Sequence, residues 1–135
     1  MRDSSLSEKD RRTRERRAAE RRGRWAERLA ILALSLKGYR LIARRFKTGP
    51  GEVDLIVRRG EVTAFVEVKN RASYDLAVEA VAPRQARRIS AAASLWMARD
   101  PVAARGVCRF DIVAVSPYHW PRHIENAFSA DESFR

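Results

Sequence analysis

Three charged residues lie within two short runs that otherwise have the composition of β-strands. Asp54 belongs to the run 51–57, and Glu67 and Lys69 belong to the run 65–69. A charge in such a run costs free energy unless it is paired, hydrogen-bonded or bound to a metal. We therefore interpret the three residues as the centre of a metal-dependent phosphodiesterase site.

The same residue types suit the hydrolysis of a phosphodiester. Two carboxylates about 4 Å apart repel each other by roughly 4 kcal/mol at an effective dielectric of about 20, and a divalent cation removes that penalty. Oxygen ligands are what Mg²⁺ or Mn²⁺ prefers, so the expected ligands are Asp54, Glu67 and the backbone carbonyl of Val68. Such an ion would bind a phosphate oxygen and lower the pKa of a bound water. Lys69 would orient that water or stabilise charge in the transition state.

A structural interpretation stays open at this point, because the three charges could equally form a salt-bridge cluster at a sheet edge. Asp111 lies in the apolar run 109–115. It is either a fourth active-site carboxylate or, as we favour, the acceptor of a structural hydrogen bond from a loop or helix terminus. His119 and His123 are too few and too peripheral for a histidine metal site, and we predict that they are turn residues.

The candidate site depends on a hairpin of two predicted strands, 52–58 and 62–69. If residues 60 and 61 form a two-residue turn, Gly60 takes the first central position of a type II′ turn and Asp54 lies opposite Glu67. If residues 59 and 60 form the turn, the register moves by two residues. In both registers Asp54 and Glu67 share a face, because side chains alternate with a period of two.

Alternation also divides this hairpin into two faces. One face is expected to be apolar and buried under a helix: Val53, Leu55, Val57, Val62, Ala64, Val66 and Val68. The other is apolar in its middle and ionic toward one end: Glu52, Asp54, Ile56, Phe65, Glu67 and Lys69. We therefore expect a sheet covered on both sides, with a charged corner at the strand ends.

A helix predicted from about residue 25 lies before the hairpin. Its apolar stripe recurs at helical spacing and consists of Trp25, Leu29, Leu32, Ala33 and Leu36. Gly38 is a suitable residue to end it. Glu27 lies at the flank of the stripe. It is either an ordinary surface residue, which the sequence alone favours, or a residue at the edge of the buried face that points toward the sheet.

A second helix is predicted to begin at Pro83 and to end at Asp100-Pro101. Its apolar stripe consists of Ile89, Ala92, Ala93 and Trp96. Gln85 lies on the same line, so we expect it to face the sheet and to hydrogen-bond the metal-bound water or the phosphate. The candidate contacts to a nucleic-acid backbone are Arg71, Arg84, Arg87 and Arg88.

Further strands are predicted at 39–46 and 109–115, with a short edge strand at 122–126 after a turn region at 117–121. The core order is therefore α-β-β-β-α-β. Three strands in a meander followed by a crossover helix and another strand give an α/β fold with a mixed sheet flanked by helices.

The bulk composition fits one domain of 135 residues with an unusual net charge of +11. That charge indicates an anionic partner, with nucleic acid first and an anionic membrane surface second. No apolar run approaches the ~18 residues needed to span a bilayer, and the charged N-terminus lacks the apolar core of a signal peptide. Cys108 is the only cysteine. We expect a cytoplasmic protein without an internal disulfide.

Residues 1–22 are dominated by arginine. We expect a basic arm there, either disordered or an exposed helical extension that lies along phosphates, before a domain at 23–128 and a frayed tail at 129–135. A solvated tail with no specific role is the equal alternative.

The residues resemble a known pattern. Glu27, Asp54 and Glu67-Val68-Lys69 resemble the E…D…ExK set of the PD-(D/E)xK nuclease superfamily. Over residues 23–128 the chain is similar to the bacterial YraN family of Holliday-junction-resolvase-like proteins. The similarity is carried by the segments 25–27, 38–39, 51–56, 65–71, 109–115 and 123–128.

This resemblance implies a restriction-endonuclease-like fold, with Glu27, Asp54, Glu67 and Lys69 at the active-site positions. Two residues depart from the family pattern. Arg45 stands where that family usually carries Asn, and Gln85 stands where it usually carries Lys, although other members of the superfamily use Gln in that helix. A homodimer is implied by analogy with resolvases.

Three functions follow as hypotheses. The first is a Mg²⁺-dependent endonuclease that hydrolyses structured or branched DNA. The second is a non-catalytic nucleic-acid-binding accessory protein whose carboxylate cluster is structural. The third is a basic RNA- or ribosome-associated protein that uses the Arg-rich arm.

Overall fold

One five-stranded sheet forms the framework of the molecule in a computed structural model that describes residues 7–71, 77 and 81–129. Its strands are β1 (Arg40–Lys47), β2 (Glu52–Arg59), β3 (Val62–Lys69), β4 (Val107–Ser116) and β5 (His119–Ile124), and they neighbour each other in that order. β3 and β4 are parallel, whereas the other neighbouring strands are antiparallel. This mixed sheet, flanked by helices, confirms the predicted layers and the predicted order of elements along the chain.

Helices cover both faces of the sheet. The helix α1 (Glu8–Leu36) packs on one face, and the helices α2 (Pro83–Arg99) and α3 (Pro101–Arg105) pack on the other. The two cores alternate along the strands, since Leu55 and Val57 lie under α1 while Ile56 packs against α2. No helix of the described part of the chain is long and apolar enough to cross a membrane.

The first helix begins much earlier than its apolar pattern indicates. Ser7 caps the N-terminus by accepting a hydrogen bond from the backbone of Asp10. Residues 8–22 are therefore helical and almost entirely exposed, which is the second of the two conformations expected for the basic arm. Gly38, with φ of +93°, ends the helix as predicted, because the backbone N–H of Tyr39 donates back to Leu34.

The predicted apolar stripe of this helix is only partly correct, since Ala33 is buried and Leu29 packs against the core. The buried face consists of Ala26, Glu27, Ala30, Ala33 and Leu34. Trp25 and Leu32 are nearly half exposed, and Leu36 is mostly exposed. Three alanines let the helix axis approach the sheet closely, whereas much of Trp25, Leu32 and Leu36 lies outside the contact. The face is thereby rotated so that Glu27 points toward the sheet.

The central hairpin adopts the first of the two predicted registers. Leu55 pairs with Val66 and Arg59 pairs with Val62, so residues 60 and 61 form the turn. Gly60 has φ of +59°, as the first central position of a type II′ turn requires.

The expected alternation fails at one point of this hairpin. Val53 is fully buried, but it belongs to the cluster under α2 with Phe46 rather than to the α1 face. The paired ladder between β2 and β3 ends at Leu55 and Val66, and beyond it β2 leaves the regular period of two.

Gly51 fixes how α2 lies over the start of β2. A Cβ atom at this position would lie 1.8 Å from the carbonyl oxygen of Arg88, so only glycine permits this approach. Pro83 begins α2 and its predicted stripe is buried, which confirms this helix. The short α3 was not predicted; the Asp100 side chain caps it by accepting from the backbone of Val102 and Ala103.

The last two strands differ from their predicted ranges. β4 is longer at both ends, and β5 begins at His119 rather than at residue 122. The turn between them is confined to Pro117 and Tyr118. His119 and His123 are therefore strand residues, and the prediction that they are turn residues is wrong. The polar residues 70–77 are predicted to form a loop; most of them, and the tail after Ser129, lie outside the described residues.

Candidate functional site

Asp54 and Glu67 meet where β2 and β3 part. The Val68 N–H donates to Oδ2 of Asp54 over 2.9 Å, and the Asp54 N–H donates to Oε1 of Glu67 over 3.3 Å. These side-chain acceptors follow directly after the last paired residues of the ladder. Each carboxylate therefore satisfies a backbone donor that the neighbouring strand would otherwise leave unpaired.

Gln85 joins the pair from α2, as its position on the apolar stripe predicted. Its Nε2 donates to Oε2 of Glu67 over 2.9 Å, and its Oε1 accepts from Nζ of Lys69 over 3.0 Å. Lys69 Nζ also lies 3.8 Å from Oε2 of Glu67. The amide of Gln85 thus fixes the carboxylate and the ammonium group at once.

Burial makes this pair of acids electrostatically costly. Burial and the neighbouring Asp54 carboxylate raise the pKa of Glu67 to about 8. Burial also raises the pKa of Asp54, although the Val68 N–H and the Lys69 charge act in the opposite direction. Burial therefore favours a proton on Glu67, beside the carboxyl group of Asp54. Without a cation, the pair therefore tends to share one negative charge.

Glu27 reaches the same corner from α1. It is buried, and it repels Asp54 enough to contribute to the raised pKa of that group. Nε of Arg45 donates to its Oε2 over 3.1 Å, and Nε of Arg44 lies 3.6 Å from its Oε1. That Oε1 atom is buried without a hydrogen-bond partner. Glu27 thus presents one unsatisfied anionic oxygen beside the carboxylate pair.

A small open cavity separates Glu27 from Asp54. Its volume is about 180 Å³, and it is lined by Glu27, Arg45, Lys47, Glu52, Val53 and Asp54. Glu27 and Asp54 line this cavity, and their carboxylate oxygens are hard donors that suit Mg²⁺ or Mn²⁺. A divalent cation bound here would offset the negative charge that Glu27, Asp54 and Glu67 bring together.

The described residues contain no group of three or more His, Cys, Asp or Glu side chains placed to hold a metal. The predicted ligand set did not require one, since it consists of two carboxylates and the Val68 carbonyl. The Val68 main chain does lie against Asp54, through the hydrogen bond from its N–H. The residues present therefore fit a weakly held Mg²⁺ with several waters rather than an all-protein cage.

The arginines predicted to contact nucleic acid are all on the surface. Arg84, Arg87 and Arg88 are exposed along the same helix that carries Gln85. Arg71 is exposed as well, two residues after Lys69, and donates to the carbonyl of Asn70. Their positions place positive charge around the corner that holds the two carboxylates.

Two neighbours of Glu27 were not identified as site residues from the sequence. Arg44 and Arg45 both pair with it from β1. Arg45 has φ of +50°, a conformation that costs free energy for a side chain of this kind. The sequence signal for Arg45 was its departure from the Asn of the resembled family, because Asn adopts this backbone conformation at a lower cost than Arg.

Asp111 belongs to a different cluster and is structural, as favoured. It is fully buried and accepts from Arg109 through two bonds of 2.8 Å, from Nε2 of His123 and from the backbone of Asn126. Burial alone would raise its pKa, but the hydrogen bonds from His123 and Arg109 hold that pKa below its usual range. Nζ of Lys37 lies 2.6 Å from Nδ1 of His123. This network ties β4 and β5 to the end of α1.

Comparison with known proteins gives a family and several close relatives. The model of the uncharacterised protein family UPF0102 matches residues 26–115. A UPF0102 protein of Methylorubrum extorquens is 54% identical over 86% of this chain and 91% of its own. One from Brucella canis is 54% identical over 81% of this chain and 86% of its own, and one from Methylobacterium nodulans is 52% identical over 89% and 93%.

Proposed function

This chain belongs to the UPF0102 family. We propose a function for it from the chemistry of the site formed by Asp54, Glu67 and Lys69. It is a metal-dependent endodeoxyribonuclease of the PD-(D/E)xK type, with a restriction-endonuclease-like fold, and it hydrolyses phosphodiester bonds in structured or branched DNA. The observation that carries this proposal is the convergence of Asp54, Glu67, Lys69 and Gln85 in one hydrogen-bonded network. Its site of action is the cytoplasm, where bacterial DNA lies.

The roles of the residues follow from their contacts. When bound, Mg²⁺ or Mn²⁺ supplies Lewis-acid polarisation of the phosphate and a more acidic water. Asp54 and Glu67, with the Val68 carbonyl, would hold the ion at the point where the strands part. Lys69 is oriented by the hydrogen bond that its Nζ donates to Oε1 of Gln85, so it can stabilise negative charge on the phosphate during attack.

Glu27 provides a further acceptor above the cavity. Its unsatisfied Oε1 can accept a hydrogen bond from a water that enters between it and Asp54. The exposed Arg84, Arg87 and Arg88 can hold the flanking phosphates. The residues that act on the reacting phosphate are therefore distinct from the exposed arginines that hold the flanking phosphates of the strand.

The test is cleavage of a panel of labelled four-way junction, flapped, duplex and single-stranded DNA with Mg²⁺ or Mn²⁺. The unsubstituted protein should cut at least one substrate, and the activity should disappear in chelator and in Asp54→Ala and Lys69→Ala. Glu125→Gln, which removes an exposed carboxylate of the separate Asp111 cluster, is the matched control and should cut normally. Binding without cutting under every condition would reject the enzyme proposal.

One observation favours a second candidate function. The Arg45 guanidinium pairs with Glu27 beside the cavity and supplies positive charge where a metal-binding site needs acid. A non-catalytic nucleic-acid-binding protein would keep such a pair and would not need the ion. In that case binding to DNA should be indifferent to chelator and to Glu67→Gln, but should weaken steeply with salt.

The homodimer that the resolvase analogy implies has a candidate surface. Trp25, Leu32 and Leu36 lie along one exposed stripe of α1, and exposed apolar stripes of this kind often mark protein contacts. We propose that a second copy packs there. Sedimentation of the unsubstituted protein and of Leu32→Glu tests this directly, since a dimer through this stripe should dissociate in the variant.

A further inference from the structure

Two aromatic side chains protrude at the turn between β4 and β5. Tyr118 is 89% exposed and Trp120 is 61% exposed, and they lie within three residues of each other. Leaving such large apolar surfaces in water has a cost of about 25 cal/mol per Å². In the described part of the chain, the clusters that form the core contain neither residue. Their exposure therefore needs an explanation outside the fold.

The sheet register places this aromatic tip at the same edge as the candidate site. Glu67 pairs with Ile112, and Lys69 pairs with Ala114 on the parallel strand. β4 then continues in the same direction to Ser116, which lies four residues, about 13 Å, beyond Ile112. The turn follows at once, so Tyr118 and Trp120 project past the strand end that carries Glu67 and Lys69.

Positive charge lies between the tip and the site. Arg122 pairs with Ala114, which itself pairs with Lys69. Directly paired residues share a face of the sheet, so Lys69 and Arg122 lie in one row, two strands or about 10 Å apart. A phosphate backbone that crosses this row from Lys69 would pass Arg122 and reach the aromatic tip.

We propose that Tyr118 and Trp120 form a stacking platform for unpaired bases of the DNA that the site acts on. Aromatic side chains stack on bases of any sequence, and each stacked base contributes about 1–3 kcal/mol. Inside a duplex both faces of a base are covered by its neighbours, so the platform can engage only a base at a gap, flap, branch or end. Because the net charge of this protein is +11, an anionic nucleic acid is a better partner for the tip than another positively charged protein, such as a second copy.

This inference rests on the proposed function for the position of the scissile bond, and it narrows the substrate to DNA with unpaired bases beside a duplex. With about 13 Å along the strands and about 10 Å across them, the aromatic tip lies roughly 16 Å from the position of Glu67, or about five base-pair rises of 3.4 Å. Cuts should therefore lie within a few nucleotides of the junction between paired and unpaired DNA.

The test separates binding from cutting by using full-length Asp54→Asn in chelator, so that it remains valid if the protein never cuts. Affinity is measured by fluorescence anisotropy for a perfect hairpin-closed duplex and for the same duplex with a single-stranded gap. We expect a preference for the gapped DNA. Adding Tyr118→Ala and Trp120→Ala should reduce that preference by at least about fivefold, and Tyr118→Phe with Trp120→Phe should retain it.

Controls decide what a loss of affinity means. Val102→Ala with Val107→Ala removes exposed apolar surface elsewhere and should leave the preference unchanged. In addition, tryptophan emission should be quenched by a short single-stranded oligonucleotide, and Trp120→Phe should remove most of that quenching while binding persists. An equal loss of affinity for duplex and gapped DNA, or quenching that is unchanged in Trp120→Phe, would overturn the proposal. So would conversion of a dimer to a monomer by the aromatic substitutions, which would assign the tip to a second copy instead.

Discussion

Asp54 and Glu67 each accept a backbone hydrogen bond from the strand that carries the other. The Val68 N–H of β3 donates to Asp54, and the Asp54 N–H of β2 donates to Glu67. This exchange keeps the two acids together after the ladder has ended, and it buries them in the process. The geometry that assembles the candidate site therefore also destabilises the protein when both acids are ionised.

Removing one acid should stabilise the metal-free protein. In Asp54→Asn the cost of a buried charge beside Glu27 disappears while the acceptor for the Val68 N–H is kept. We expect a melting temperature about 3–6 °C higher in chelator, the shift that about 1 kcal/mol produces in a domain of this size. Mg²⁺ should raise the melting temperature of the unsubstituted protein but not that of the variant, as differential scanning fluorimetry can show. Equal responses of both proteins to Mg²⁺ would contradict a metal site at Asp54.

The pH dependence of stability should have a defined sign in the same cluster. The pKa of Glu67 is raised in the folded protein from 4.5 to about 8, so folding favours the protonated form. Its stabilising contribution is fully present below the unfolded pKa and is lost as pH rises toward 8. Chemical denaturation between pH 5 and pH 8 in chelator should show stability falling more steeply for the unsubstituted protein than for Glu67→Gln. Parallel curves for the two proteins would show that Glu67 ionises normally.

The hairpin and its acids could be predicted because they depend on local rules. Strand alternation puts Asp54 and Glu67 on one face in either register, and the position of Gly60 selects the register that is found. Glu27 could not be placed this way. Its burial depends on which face of α1 packs on the sheet. That face is formed largely by small alanines, whereas Trp25 and Leu36 remain exposed. The prediction from the sequence assumed that the largest apolar side chains are buried, whereas close packing of a helix on a sheet requires small side chains.

The face on which Val53 lies and the start of β5 could not be predicted from the sequence, because both depend on contacts with neighbouring strands. Val53 changes face because β2 leaves its ladder at Asp54, and that departure depends on side-chain acceptors from another strand. β5 extends back to His119 because β4 offers it a partner as far as Ser116. Neither partner is visible from the local sequence, so strand bounds in this region follow from pairing rather than propensity.

Gly51→Ala should disturb the contact between β2 and α2. The new Cβ would lie 1.8 Å from the Arg88 carbonyl oxygen, so a backbone shift is unavoidable. We expect a loss of about 1–3 kcal/mol in unfolding free energy by urea titration, together with reduced activity, because α2 also carries Gln85. Gly49→Ala is the matched control in the same turn. A Cβ there meets nothing within 4 Å, so its stability should change by no more than about 0.5 kcal/mol.

Substitutions of Arg45 should separate backbone strain from ion pairing. Arg45 has φ of +50°, which costs roughly 1–2 kcal/mol for a residue with a Cβ, whereas its half-exposed pair with Glu27 contributes at most about 1 kcal/mol. Arg45→Asn relieves strain, so its stability should equal or exceed that of the unsubstituted protein. Arg45→Ala keeps the strain and loses the pair, so it should be less stable than Arg45→Asn. Identical denaturation midpoints for Asn and Ala would show that the backbone conformation at this position is not strained.

Asp111→Asn should be destabilising through the network that joins β4, β5 and α1. Asp111 accepts from Arg109, His123 and the Asn126 backbone, and an uncharged replacement leaves these donors poorly matched. We expect a loss of about 2–3 kcal/mol in unfolding free energy at neutral pH. Because the folded-state pKa of Asp111 is depressed, its contribution is present above the unfolded pKa and is lost as pH falls through the folded value. The difference between Asp111→Asn and the unsubstituted protein should therefore shrink in acid. Glu125→Gln removes an exposed carboxylate of the same cluster and should change neither the stability nor its pH dependence. If its unfolding free energy fell as much as that of Asp111→Asn, net charge rather than the buried network would hold these strands.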